Sequence, residues 1–151
     1  MTAGTCSDRY EAAQIDVAQI GATCQTLNVS GTPSGLSAAF RVDYGPVPFT
    51  ITEIYTAATF QGGFTKHAKM PGGSLLQLPS VVVDVTPSTL ILFSCVDAPL
   101  VGDVAELVLA TRSPQPSPAA VHRELQLAKA LGVPFSAADV KSVDHSKCKA
   151  Q

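Results

Sequence analysis

At 151 residues the chain has the length of one domain spanning 1–151, with 46% hydrophobic and only 15% charged residues to build a single core. Lys and Arg number 10 against 12 Asp and Glu, and the resulting net charge of -2 leaves no basic surplus to recruit nucleic acid. The 11 prolines and 11 glycines cut the apolar stretches short, so none approaches the roughly 20 residues of a membrane-spanning helix.

Tyr10 to Ile15 reads as a strand or a helix, and 16–23 is ambiguous by period. From Cys24 the pattern is β. A strand over 24–30 is followed by the turn formers Gly31-Thr-Pro-Ser-Gly35 and then by a clean alternation over 36–44. Leu36, Ala38, Phe40, Val42 and Tyr44 share one face of that strand; Ser37, Ala39, Arg41 and Asp43 share the other. Past Gly45-Pro-Val-Pro48, the run 49–57 is rich in Thr, Ile and aromatic residues, and Phe49, Ile51 and Tyr55 lie on one face. A short strand is expected within 61–73, and two longer ones over 75–85 and 89–96 on either side of Thr86-Pro-Ser88. A strand over 104–112 stops at Pro114.

A helix over about 117–131 follows, with Ser117 as N-cap, Pro118 at its first position and Gly132 as its stop. Val121, Leu125, Ala128 and Leu131 fall on one face, which describes a helix lying against another surface. Many short strands before one late helix predict an all-β sandwich or barrel. A helix packed outside and a short final strand lean towards an eight-stranded antiparallel up-and-down β-barrel.

Cys6, Cys24, Cys95 and Cys148 show neither CxxC nor Cys/His spacing, so no metal site is expected; they read as two disulfides or as four buried thiols. Asn28-Val-Ser30 is an N-glycosylation sequon that suits a secreted protein. The N-terminus carries no apolar signal core, which fits either a mature form behind an initiator Met, the reading preferred here, or an intracellular protein. No Ser/His/Asp constellation, carboxylate pair or P-loop has motif spacing, so no enzyme activity and no obligatory cofactor are expected.

Leu90-Ile-Leu-Phe-Ser-Cys95 resembles the Tyr-Ala-Leu-Val-Tyr-Ser-Cys strand of the lipocalins, in the branch of apolipoprotein D, insect bilin-binding proteins and crustacyanin subunits. Leu107-Val-Leu-Ala-Thr-Arg-Ser-Pro114 resembles the Ile-Leu-Ala-Arg-Asn-Pro strand end of the same branch, and a helix, Gly132-Val-Pro134 and a late cysteine follow in family order. Arg9-Tyr-Glu11 stands where these proteins carry Trp-Tyr-Glu. Arg112 takes the position of the arginine that closes one barrel end against that Trp, but this chain has no Trp, so Tyr10 or another residue has to cover that end.

The resemblance implies a barrel that binds, transports or stores one small hydrophobic molecule such as a carotenoid, bilin, retinoid, fatty acid or other lipid, in a secreted protein or another oxidising lumen. It pairs Cys24 with Cys148 and leaves Cys6 for Cys95. Phe40, Val42, Tyr44, Ile51, Tyr55, Leu90 and Leu92 are the candidate lining, with His67 between Lys66 and Lys69 at the mouth. Against these functional roles stands simple core filling for the apolar residues and a solvated loop for the basic run. Two alternatives belong to other classes: a lipocalin-type isomerase working through a free barrel cysteine, and a filled barrel that binds a protein partner or a second copy of itself.

Overall fold

A computed structural model describes residues 22–69, 75–98, 102–138, 140–143, 145–146 and 148. They form seven strands, β1 (Ala22–Thr32), β2 (Gly35–Tyr44), β3 (Val47–Ala57), β4 (Gly63–Lys69), β5 (Leu75–Val85), β6 (Thr89–Ala98) and β7 (Gly102–Thr111), and one helix, α1 (Pro118–Ala130). Strand order in the sheet is the order in the chain, an antiparallel meander. Each strand expected between 24 and 112 is present, and so is the helix. The eighth strand and the short final strand are not found among the described residues. Tyr10 to Ile15 lies outside them, and past the helix the described chain forms only turns and irregular segments. Pro134 cannot donate to a ladder there, and the tail is held by side chains instead.

By its internal contacts the chain divides into two compact units; the described residues of the first are 78–98, 102–138 and 140, those of the second 22–69, 75–77 and 141–148 where described. In the second unit, β1 to β4 are joined by short turns. Tyr44 pairs with Val47 across the two-residue loop Gly45-Pro46, where Gly45 takes φ 59° ahead of the fixed φ of proline. Gly35 opens β2 against β3 so closely that a Cβ would run into the Tyr55 carbonyl. The alternation of β2 has the predicted sense: Ala38 and Val42 are buried, whereas Ala39 on the opposite face is exposed.

The last described residues, His145 and Cys148, dock on β1 of this unit. Cys24 and Cys148 form a disulfide with Cα atoms 5.3 Å apart. Cys24 is buried with φ 53°, at a register shift in the β1–β2 ladder between Thr23 and Thr26. His145 lies between two carbonyl oxygens, with Nε2 2.8 Å from Gln25 O and Nδ1 3.1 Å from Val143 O. A neutral imidazole has one N–H and can donate to only one of them.

In the first unit, one face of β6 and β7 carries Ile91, Phe93, Leu107 and Leu109, and α1 covers it through Ala128, joined by Val133 and Phe135. The helix begins as its sequence dictates, with Ser117 Oγ accepting from Ala120 N at 3.2 Å and Pro118 in the first turn. It ends in a Schellman arrangement. Gly132, at φ 87°, donates to Lys129 O at 3.0 Å, and Val133 donates to Ala128 O at 3.1 Å. That closure folds Val133 back onto Ala128 beside Ile91, so the capping signal and the core are one feature. The helix face differs from the expected one in two positions. Glu124 is buried together with Ala128, and Leu131 is 57% exposed because it is already the C-cap, past the last turn that faces the sheet.

Candidate functional site

The buried face of the second unit is apolar at Leu36, Ala38, Phe40 and Val42 of β2 and at Phe49 and Ile51 of β3, with Phe64 and Ala68 of β4 beside them. Val42 is fully buried; Phe40 and Ile51, paired across the ladder, are half-buried. Tyr55 is 5% exposed, and its ring meets Phe64 edge to face, centroids 6.4 Å apart and planes at 85°. Of the predicted lining, Phe40, Val42, Ile51 and Tyr55 therefore stand together on one face. Tyr44 ends β2, and its side chain lies outside the described set.

A polar network that the sequence reading did not anticipate interrupts this surface. Glu53 falls between Ile51 and Tyr55 on the period-two face of β3 and is 7% exposed; Lys66 of β4, opposite Tyr55 in the ladder, is 5% exposed. Lys66 Nζ lies 2.9 Å from Glu53 Oε1, and the Tyr55 hydroxyl donates to Glu53 Oε2 at 2.6 Å. Both carboxylate oxygens thus have partners, which is what allows two opposite charges to be buried among apolar side chains. Lys66 takes the interior position, and His67 the opposite face beside exposed Ile54, because neighbours in a strand point to opposite sides. The run Lys66-His-Ala-Lys69 is a strand and not a loop.

In the first unit, the face of the sheet turned away from α1 holds Leu78 and Ser80 of β5 with Leu92 and Ser94 of β6, all buried, and half-buried Leu90. The Ser80 and Ser94 hydroxyls lie 2.7 Å apart across the ladder. Arg112, directly after β7, is exposed and holds the β5–β6 turn: its backbone N–H donates to Ser88 O at 3.0 Å and its Nε to Pro87 O at 2.6 Å. Tyr10, its expected companion, lies outside the described residues, as does Cys6. Asn28 is exposed on β1.

Cys95 is disulfide-bonded like Cys24 and Cys148, so no free thiol exists among the described residues to serve as the nucleophile of an isomerase. No group of three His, Cys, Asp or Glu able to hold a metal occurs among the described residues, and no described helix is long and apolar enough to cross a membrane. Disulfides of this kind belong to an oxidising compartment.

No family model matches the sequence, and no curated protein matches it significantly. Among solved structures, apocrustacyanin C1 superposes with a TM-score of 0.66 at 15% identity, over 83% of this chain and 69% of that one. A complex of LTBP1 with LTC4 gives 0.46 at 13% identity, over 79% and 84%. The likeness to apocrustacyanin C1 shows the fold alone: a lipocalin-like antiparallel meander with a late helix.

Proposed function

We propose that the protein binds one small hydrophobic molecule, for transport or storage outside the reducing cytosol. The observation that carries this reading is a lipocalin fold whose buried sheet face, at Phe40, Val42, Ile51 and Tyr55, is apolar yet holds a fully partnered polar group. Leu90 and Leu92 offer a surface of the same kind in the other unit. Burying a ligand against such side chains gains about 25 cal/mol per Å² removed from water. The exposed Asn28 is the glycan acceptor of a secreted form.

The test uses the intact chain with its disulfides formed. Because the protein has no Trp, the emission of added retinol and the absorbance of an added carotenoid are read against a quiet background. Saturable one-to-one binding at micromolar concentration supports the reading, as does a lipid or pigment recovered by mass spectrometry of organic extracts from natively purified protein. Failure of a retinoid, a carotenoid, a bilin and a fatty acid alike sinks it, leaving a solid core with a surface role.

A further inference from the structure

We propose that Ser94, with Ser80 behind it, is a hydrogen-bond acceptor that selects ligands carrying an O–H or N–H group. The inference rests on the binding function proposed above and concerns the apolar face of the first unit. Ile91 and Phe93 of β6 pack with α1, so Leu90, Leu92 and Ser94 point to the other side of the sheet. There Ser94 meets Ser80 directly across the β5–β6 ladder. Both serines are buried, 4% exposed at Ser80 and 3% at Ser94, with Leu78 and Leu92 buried beside them.

A hydroxyl carries one proton and two lone pairs. Among the described residues the pair has two side-chain hydrogen bonds: Ser80 Oγ lies 3.2 Å from Leu78 O and 2.7 Å from Ser94 Oγ. A carbonyl has no proton to give, so the first bond takes the proton of Ser80. Ser94 then donates its own to Ser80 Oγ. The reverse arrangement would leave the Ser94 proton buried without an acceptor, which is the costly state. Glu106 of β7, the other ladder neighbour of Ser94, is a carboxylate and brings no proton either. Both hydroxyl protons are thus placed, and Ser94 Oγ keeps its lone pairs for a donor. An alcohol or an amide N–H supplies one; an ether, ester or ketone does not.

Retinol and its methyl ether are matched probes: they share the fluorescent polyene, and the ether can accept a hydrogen bond but cannot donate one. The readout is the dissociation constant of each for the intact disulfide-bonded chain, in the wild type, Ser80→Ala and the double variant Ser80→Ala/Ser94→Ala, with folding checked by circular dichroism. The wild type should favour retinol by about three- to tenfold, the value of one neutral hydrogen bond. Ser80→Ala frees the Ser94 proton for the ligand, so the ether should gain about threefold or more while retinol holds its affinity. The double variant has neither donor nor acceptor, and retinol should fall to the level of the ether.

Equal affinities for the two probes in the wild type would overturn the proposal while leaving ligand binding intact. So would a preference for retinol that survives in the double variant, or an ether that gains nothing in Ser80→Ala. If neither probe nor any other apolar molecule binds the wild type, the underlying function fails and the selectivity with it. Should Ser80→Ala not fold, the double variant still decides, since removing both partners of a buried hydrogen bond leaves no polar group unmet.

Discussion

Removing the Cys24–Cys148 disulfide should cost more than any single side chain in this protein. The two cysteines are 124 residues apart, so the bond closes most of the chain into a loop. In the chain-entropy description that separation corresponds to about 5 kcal/mol at 25 °C, withheld from the unfolded ensemble rather than added to the folded one. The perturbation is the double variant Cys24→Ser/Cys148→Ser, which leaves no lone thiol to exchange with the bond at Cys95. Urea unfolding followed by far-ultraviolet circular dichroism reads the loss, and thermal melts should fall by about 10–20 °C. The urea m-value should rise, because the released chain expands further when unfolded. The described tail residues lack ladder pairing, and Lys141 is exposed, so tryptic cleavage after Lys141 should become faster in the variant. A loss below about 1 kcal/mol with an unchanged m-value would refute this reasoning, since it would mean that the cross-link does not restrict the unfolded chain.

Ile91 is fully buried between the sheet and Ala128, and Ile91→Ala should cost about 3–4 kcal/mol in urea unfolding with little change in the far-ultraviolet spectrum. Ser117→Ala removes the cap on Ala120 N and should cost about 1 kcal/mol, whereas Ser117→Asp, which keeps an acceptor at the N-terminus, should stay close to wild type. Glu53→Ala breaks a buried ion pair and should cost about 3–5 kcal/mol; replacing both residues by Met should recover most of that, as judged by the same urea titration.

The elements were legible where one local rule sufficed. The alternation of β2 placed Ala38 and Val42 inside, and the capping residues Ser117, Pro118 and Gly132 bounded the helix to within a residue at either end. The Cys24–Cys148 bond came from resemblance, since four cysteines alone allow three pairings. Arg112 was placed correctly at the end of β7, but its contacts were not foreseen. They go to carbonyls of a turn 25 residues earlier, and side-chain type carries no record of such a partner. Leu131 was assigned to the buried stripe by period alone, although the period stops mattering where the helix stops.

The Glu53–Lys66 network escaped for a more instructive reason. Each half looked ordinary: Glu53 is one charge in a Thr- and Ile-rich strand, and Lys66 belongs to a Lys-His-Ala-Lys run that in most proteins faces solvent. The usable signal was the pleat. Phe49, Ile51 and Tyr55 fix one face of β3, and Glu53 is the polar member of that same face; Phe64 and Ala68 fix one face of β4, and Lys66 lies between them. Two opposite charges, each alone on an apolar face of adjacent strands, predict a buried pair as soon as the register is known. The register was the missing quantity, because residues 58–62 set it through the fold of the loop, and a slip of one residue would have turned Lys66 outward and His67 inward. The sequence offered Lys66, His67 and Lys69 together, at a barrel mouth or in a solvated loop, and it is the register that separates two of them: Lys66 is buried beside Glu53, whereas His67 lies on the opposite face.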